Sequence, residues 1–107
     1  MLLVTQMWYP ASKASEVGKT YFEAIKKFPD DKTISKPIVR TAIRATKDGF
    51  HNITVSIIKP GKVKEILDIA HGRLLMFGAI EGFKYETYVA FDLGEALPFV
   101  GLEAPPE

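Results

Sequence analysis

Two spacings of apolar residues alternate along the chain, and each predicts a different element of secondary structure. Residues 2–9 (LLVTQMWY) are rich in β-forming side chains and end at Pro10, which predicts a strand. In the next segment apolar residues recur every three or four positions, as on one side of a helix. These positions are Ala14, Val17, Tyr21, Ile25 and Phe28. A helix that starts near Ser12 or Ser15 and stops before Pro29 is therefore expected.

A β-hairpin is predicted around the turn sequence Lys47-Asp48-Gly49, between residues 38–46 (IVRTAIRAT) and residues 50–58 (FHNITVSII). A two-residue loop, Asp48-Gly49, would mix the arginines of the first strand into the apolar face of the second. A three-residue loop with a left-handed Gly49 instead aligns Val39, Thr41, Ile43 and Ala45 with Ile57, Val55, Ile53 and His51. We favour the three-residue loop, because a sheet that buries one face needs that face to be mostly apolar.

A second helix and a last strand complete the regular elements. Helical spacing returns at Val63, Ile66, Leu67, Ala70, Leu74 and Phe77. Residues 83–91 (FKYETYVAF) alternate like a strand, and their more apolar face carries Tyr85, Thr87, Val89 and Phe91. From Leu93 the chain can add a short helical turn through Val100.

The predicted order of elements is β-α-β-β-α-β, which indicates an α+β, ferredoxin-like fold. We expect a four-stranded antiparallel sheet with two helices on one face and a short C-terminal helical extension. The 107 residues suffice for one domain, which we assign to residues 1–102, with a loose tail over residues 103–107.

Charge and composition narrow the class of protein. The 14 Lys plus Arg residues nearly balance the 13 Asp plus Glu residues, and the net charge of +1 favours neither nucleic acid nor an anionic membrane as a partner. Cysteine is absent, so neither disulfides nor thiolate metal sites are expected. The apolar N-terminus lacks a basic segment and breaks at Thr5-Gln6, which is typical of neither a signal peptide nor a membrane span. A cytoplasmic protein is therefore expected.

Two nucleotide-related motifs are present only in part. The stretch EVGKT (residues 16–20) has the last three residues of a phosphate-binding loop, but Lys13 occupies the position of the first glycine. Gly18 also falls inside the first predicted helix, where we expect close approach to the sheet to explain it. The stretch DGFHNITV (residues 48–55) resembles an RNA-recognition strand, yet Asp48 replaces the basic residue and the further aromatic residues are missing. We therefore expect no nucleic-acid partner.

The hairpin has a second face of mixed polarity. Under the favoured register it carries Ile38, Arg40, Ala42, Arg44 and Thr46 beside Phe50, Asn52, Thr54, Ser56 and Ile58. A solvated face would be more uniformly charged, whereas a core face would lack the arginines. This mixture indicates a partly wet self-association interface, although half-polar faces also occur in monomers. We predict a homodimer or a higher oligomer.

Five residues are the candidates for a functional site. His71 lies beside the apolar stripe of the second helix, where it can be a general base (the best available), a haem ligand, or a boundary histidine with a hydrogen-bonded ring. Trp8 and Tyr88 can shape an apolar pocket or anchor the core. Arg40 and Arg44 can hold a carboxylate or pair with Glu86 across a dimer. His51 and His71 have no metal-ligand spacing, so neither a metal nor a cofactor is predicted.

In the order of its elements and in its length, the chain resembles one protomer of the dimeric α+β barrel superfamily. The tail LGEALPFVGLE is similar in placement to the C-terminal extensions of small uncharacterised members. This resemblance implies a homodimer that binds a small, largely apolar molecule without catalysis. The alternative that it implies is a cofactor-independent monooxygenase or isomerase. That enzyme would use His71 as the base in a pocket between the second helix and the sheet.

Overall fold

The computed structural model describes residues 1–103 and has one four-stranded antiparallel sheet with helices on one face. The strands are β1 (Leu2–Tyr9), β2 (Ser35–Thr46), β3 (Gly49–Ile58) and β4 (Lys84–Ala90), and the helices are α1 (Ala14–Lys27), α2 (Val63–Leu75) and α3 (Leu93–Ala96). A 3₁₀ turn (Ala11–Lys13) precedes α1, and another (Leu97–Val100) follows α3. The sheet order is β2-β3-β1-β4 with antiparallel neighbours. The predicted ferredoxin-like fold is confirmed, while the predicted loose tail lies, from residue 104, outside the described residues.

The predicted helical stripes form the core. Val17 and Ala24 of α1 pack with Tyr9, Phe77 and Ile80. A second buried cluster joins Leu3, Ile58 and Ile66, with Val63, Leu67 and Ala70 packed against it. The Gly-Lys-Thr sequence lies inside α1, so it forms no loop that could wrap a phosphate.

The two faces of the sheet differ in what covers them. One face lies under α1 and α2 and contributes Leu3, Met7 and Tyr9 from β1 to the core. The opposite side, which we call the open face, follows from strand alternation and from the pairing of the strands. Its side chains are Leu2, Val4, Gln6, Trp8, Lys36, Val39, Ala42, Arg44, His51, Ile53, Val55, Ile57, Lys84, Glu86, Tyr88 and Ala90.

The predicted hairpin register is wrong by one residue next to the turn, and irregularities further along β2 widen the offset, so that Val39 pairs with Val55 and not with Ile57. Thr46 pairs with Gly49 and Ala45 pairs with Phe50, so the connection has two residues, Lys47 and Asp48. Gly49 has φ of 134°, and a Cβ atom there would lie 2.2 Å from the carbonyl oxygen of Tyr9. The positive φ that we predicted and the close approach of β1 therefore both require glycine here, although Gly49 begins β3 and does not end a three-residue loop.

The assignment of the hairpin faces is also wrong. The helices cover Asn52, Thr54 and Ser56, whereas Ile53, Val55 and Ile57 lie on the open face. The physical reason is that β1 and the helices supply most of the apolar contacts of the core. The covered side of β3 can therefore be polar, and the apolar side faces outward.

The C-terminal extension is held by a local helix cap and by a contact with the N-terminus. Asp92 and Glu95 form a capping box at the start of α3, and the N-terminal amino group lies 2.5 Å from Glu95 Oε1. The rings of Phe91 and Phe99 are 5.5 Å apart, yet both side chains are more than half exposed. Leu93, Val100 and Leu102 are exposed as well. The extension therefore presents an apolar surface to solvent.

The glycines inside α1 and α2 should respond differently to alanine. A Cβ atom on Gly18 would meet nothing within 4 Å, whereas one on Gly72 would lie 2.7 Å from the ring of Phe28. Gly18→Ala should therefore raise the free energy of unfolding by roughly 1 kcal/mol, the usual helix-propensity difference. Gly72→Ala should raise the free energy of unfolding by less than this, or lower it, because the ring of Phe28 must move. Urea denaturation of both variants tests this, and an equal gain at the two positions would contradict it.

Candidate functional site

Two β-bulges in β2 decide where its arginines point. Pro37 pairs with Ser56 and Val39 with Val55, so Ile38 is an extra residue. Between the Val39 and Ala42 pairs, Arg40 and Thr41 together lie opposite Thr54. Bulges re-aim side chains in this way. As a result Arg40 lies on the helix side of the sheet and Arg44 on the open face, although a regular strand would place both on one side.

Arg40 ends in an ion-pair cluster at the end of α1. Its Nη1 atom donates to Asp30 Oδ2 at 2.9 Å, and Arg73 Nη2 of α2 donates to Asp30 Oδ1 at 2.9 Å. Arg73 Nε also donates to the carbonyl oxygen of Phe28 at 2.8 Å. Asp30 thus joins β2 to α2. The hydrogen bond from Arg40, and then that from Arg73, holds the pKa of the Asp30 carboxyl below its ordinary value of 3.8.

Beneath this cluster lies a space between the helices and the sheet, which we call the helix–sheet cleft. It consists of a cavity of about 120 Å³ toward α2 and a cavity of about 440 Å³ between α1 and β2. Met7, Tyr21, Arg40, Thr54 and Phe77 line both. Gly18 lines the larger cavity, beside the open space where a side chain would stand. The cleft therefore explains Gly18 better than the close helix–sheet contact that we predicted.

The floor of the cleft is polar because β3 turns its polar positions toward the helices. Asn52 is only 8% exposed and Tyr9 only 7%, and Tyr9 Oη donates to Asn52 Oδ1 at 3.1 Å. Thr54 follows two residues later on the same face, about 7 Å along the strand. It lines both cavities.

A second polar arrangement crosses the open face. Arg44 Nε donates to His51 Nδ1 at 3.0 Å, and His51 Nε2 lies 2.8 Å from Gln6 Oε1. Because a guanidinium only donates, Nδ1 must accept, and the ring proton sits on Nε2. Gln6 Nε2 then donates to Tyr88 Oη at 3.3 Å. The ring of Trp8 stacks on His51 with centroids 5.1 Å apart.

The structure does not bring the five predicted site residues together. Trp8, Arg44 and Tyr88 lie on the open face. Arg44 and Tyr88 are the two ends of the hydrogen-bonded chain that runs through His51 and Gln6, and Trp8 stacks on His51. Arg40 lines the helix–sheet cleft. His71 is exposed on α2 and lines neither cavity.

Several residues of the site were missed. The alternation of Asn52, Thr54 and Ser56 was visible in the sequence, but we assigned it to an interface face. His51 was interpreted as the end of an apolar face, whereas it is the centre of the polar chain. Asp30 and Arg73 meet only because α1 ends beside α2, across 43 residues of sequence. No local pattern carries that contact.

Comparison with protein-family models, curated proteins and solved structures found no match. Within residues 1–103, none of the helices is long and apolar enough to cross a membrane. In the same part of the chain, no group of three or more His, Asp or Glu side chains is placed to hold a metal ion.

The Asp30 cluster should make stability depend on acid. Since the pKa of folded Asp30 lies below its ordinary value of 3.8, its stabilising contribution is complete above that value and is lost as the pH falls through the lower folded value. Asp30→Asn should cost up to about 1 kcal/mol at pH 7, a modest value because the carboxylate is half exposed. It should also flatten the decline between pH 5 and pH 2.

Urea denaturation across this pH range measures both effects. Asp48→Asn is the matched control, because Asp48 lies exposed in the hairpin turn and forms no ion pair among the described residues. An acid dependence that is the same in wild type and Asp30→Asn would contradict the assignment.

Proposed function

We propose that this protein is a homodimer that binds a small, largely apolar molecule in the helix–sheet cleft. The observation that carries the proposal is the open space beside Gly18, in a cleft that apolar side chains line on several elements. Those side chains are Met7, Ala14, Val17, Tyr21, Phe22, Ile43 and Phe77. Ligand sites are usually concave, mostly apolar and provided with a few polar groups.

The size of the cleft suits a small organic molecule. Its larger cavity, about 440 Å³, falls within the range of typical ligand pockets, roughly 300–1,000 Å³. Helix α1 tolerates a glycine there at a cost of roughly 1 kcal/mol. A ligand that occupies the space beside Gly18 would explain why α1 has a glycine at this position.

The enzyme alternative gains no support from the geometry. It requires His71 as a base in a pocket between α2 and the sheet, but His71 is exposed and lines neither cavity. We therefore propose a binding protein.

Substitution of Gly18 tests the ligand site. Gly18→Phe should fill the cleft without disturbing the core, because a Cβ atom there meets nothing within 4 Å. Native mass spectrometry of protein purified from its own host should show an added mass on wild type and on the Gly18→Ala control. Gly18→Phe should lack it. A bare wild type, or a Gly18→Phe variant that keeps the added mass, would contradict the proposal.

The open face supports the homodimer. Val4, Ile53, Val55 and Ile57 form its centre, with Trp8 and Tyr88 beside them, and α1 and α2 both pack on the opposite side of the sheet. Val4 is only 8% exposed in the isolated chain, so the accessible apolar surface comes from its neighbours. Four strands about 4.8 Å apart and about 25 Å long present about 500 Å² of sheet per protomer. Two copies would then bury about 1,000 Å², the lower bound for a specific interface. Lys36 and Arg44 on β2 and Glu86 on β4 provide both charge signs at its edges, as a self-complementary surface requires.

This interface differs from the one that the sequence predicted. Arg44 is retained, but Arg40 is not, because its guanidinium is bound to Asp30 on the helix side. The proposed interface contains the apolar side of β3, whereas the interface that the sequence predicted contained its polar side. The resemblance to dimeric α+β barrels is consistent with such a sheet-to-sheet dimer.

A charge placed on the open face tests the dimer. Ile57→Glu should lower the sedimenting mass to that of a monomer, because Ile57 is 38% exposed in the isolated chain and would be buried in the dimer. Leu75→Glu is the matched control, since Leu75 is 74% exposed on α2, away from this face. A monomeric wild type, or equal masses for both variants, would contradict the dimer.

A further inference from the structure

Asn52 is a buried polar residue whose hydrogen bonds are only half satisfied within the described chain. Its Oδ1 atom accepts from Tyr9 Oη, but its amide nitrogen has no partner among the described residues. The residue is only 8% exposed, and the buried amide would normally be paired. In residues 1–103 the only fully buried side-chain polar atom without a partner is Glu65 Oε2. The Asn52 amide nitrogen also lacks a partner but is not among the fully buried atoms, so it keeps some accessible surface. Asn52 lines the cleft, so this surface is available to a ligand there.

A second free donor lies beside it. The hydroxyl of Thr54 points to the same side of β3, lines both cavities and has no side-chain hydrogen-bond partner in the described residues. The cleft floor therefore offers an amide N–H group and a hydroxyl group that lie about 7 Å apart along the strand. Such a floor recognises a ligand that brings a hydrogen-bond acceptor into apolar surroundings.

The charges around the cleft balance. The larger cavity, which Asn52 lines, has Arg40 as its single charged lining residue, and the smaller cavity adds Asp30, Asp31 and Arg73, so the charges sum to zero over the two cavities together. Arg40 and Arg73 both bind Asp30, and the Asp31 carboxylate accepts from Thr33. Burial of a charged ligand would leave its charge uncompensated, which is costly. The lining therefore favours a neutral acceptor over a carboxylate.

From these observations we infer that the cleft selects neutral carbonyl compounds with an apolar body, and that the carbonyl oxygen accepts from the Asn52 amide. This inference rests on the proposed function and names its ligand class. Asn52 is then the residue that determines specificity, because a ligand without an acceptor leaves its buried N–H group unpaired.

Three probes of similar size and shape test the inference. Acetophenone has the carbonyl oxygen, α-methylstyrene replaces that oxygen with a methylene group, and benzoate carries a charge. Ligand-observed NMR should show acetophenone binding to wild type about tenfold more tightly than α-methylstyrene, the effect of one neutral hydrogen bond. Benzoate should bind most weakly. Asn52→Leu should remove the preference for acetophenone, and Gly18→Phe should abolish binding of all three.

A measurement on the wild type alone covers the case in which Asn52→Leu does not fold. The side-chain amide signals of Asn52 in a ¹⁵N-correlated spectrum should shift with acetophenone and stay in place with α-methylstyrene. Equal binding of these two probes, with both blocked by Gly18→Phe, would overturn the inference and leave the proposed function standing. Tightest binding of benzoate would overturn the neutral class. Failure of all three probes to bind, or binding that Gly18→Phe does not affect, would refute the proposed function as well.

Discussion

The pairing of β2 with β3 is the constraint on which both surfaces of this protein depend. Side chains alternate strictly along a strand, so each extra residue in one strand reverses the faces of everything beyond it. The bulge at Arg40 and Thr41 breaks the alternation that would otherwise put Arg40 and Arg44 on one face. Arg40 consequently meets Asp30 over the cleft, while Arg44 meets His51 on the opposite side. One local irregularity thus assigns two similar side chains to two different sites.

Along the middle of β3 the polarity is the reverse of that in a simple two-layer protein. The helices cover Asn52, Thr54 and Ser56, while Ile53, Val55 and Ile57 face outward. The core tolerates this because β1, the two helices and the turn after α2 already contribute Leu3, Tyr9, Val17, Ile66 and Phe77. A polar floor under an incompletely filled layer is suited to a ligand, and an uncovered apolar face is suited to another protein surface. The proposed dimer and the proposed ligand site thus follow from the same distribution of side chains.

The open face also carries a polar chain that suits a specific interface. Arg44, His51, Gln6 and Tyr88 connect all four strands, with Trp8 stacked on the imidazole. Apolar surfaces alone associate without a fixed register, whereas a hydrogen-bonded network fixes the side chains that a partner must match. Inside the proposed dimer this chain would orient one sheet relative to the other.

By itself the sequence determined the elements and their order. The helical stripes of α1 and α2, the strand β1, the short helical extension and the place of Gly-Lys-Thr inside a helix all follow from local spacing, because these patterns reflect interactions between near neighbours. Only the tertiary structure decided the hairpin register, the faces of β2 and β3, the exposure of His71 and the meeting of Asp30 with Arg73. Where a strand accommodates an extra residue depends on its pairing across the whole sheet and on what the helices cover, and no window of sequence contains those distant contacts.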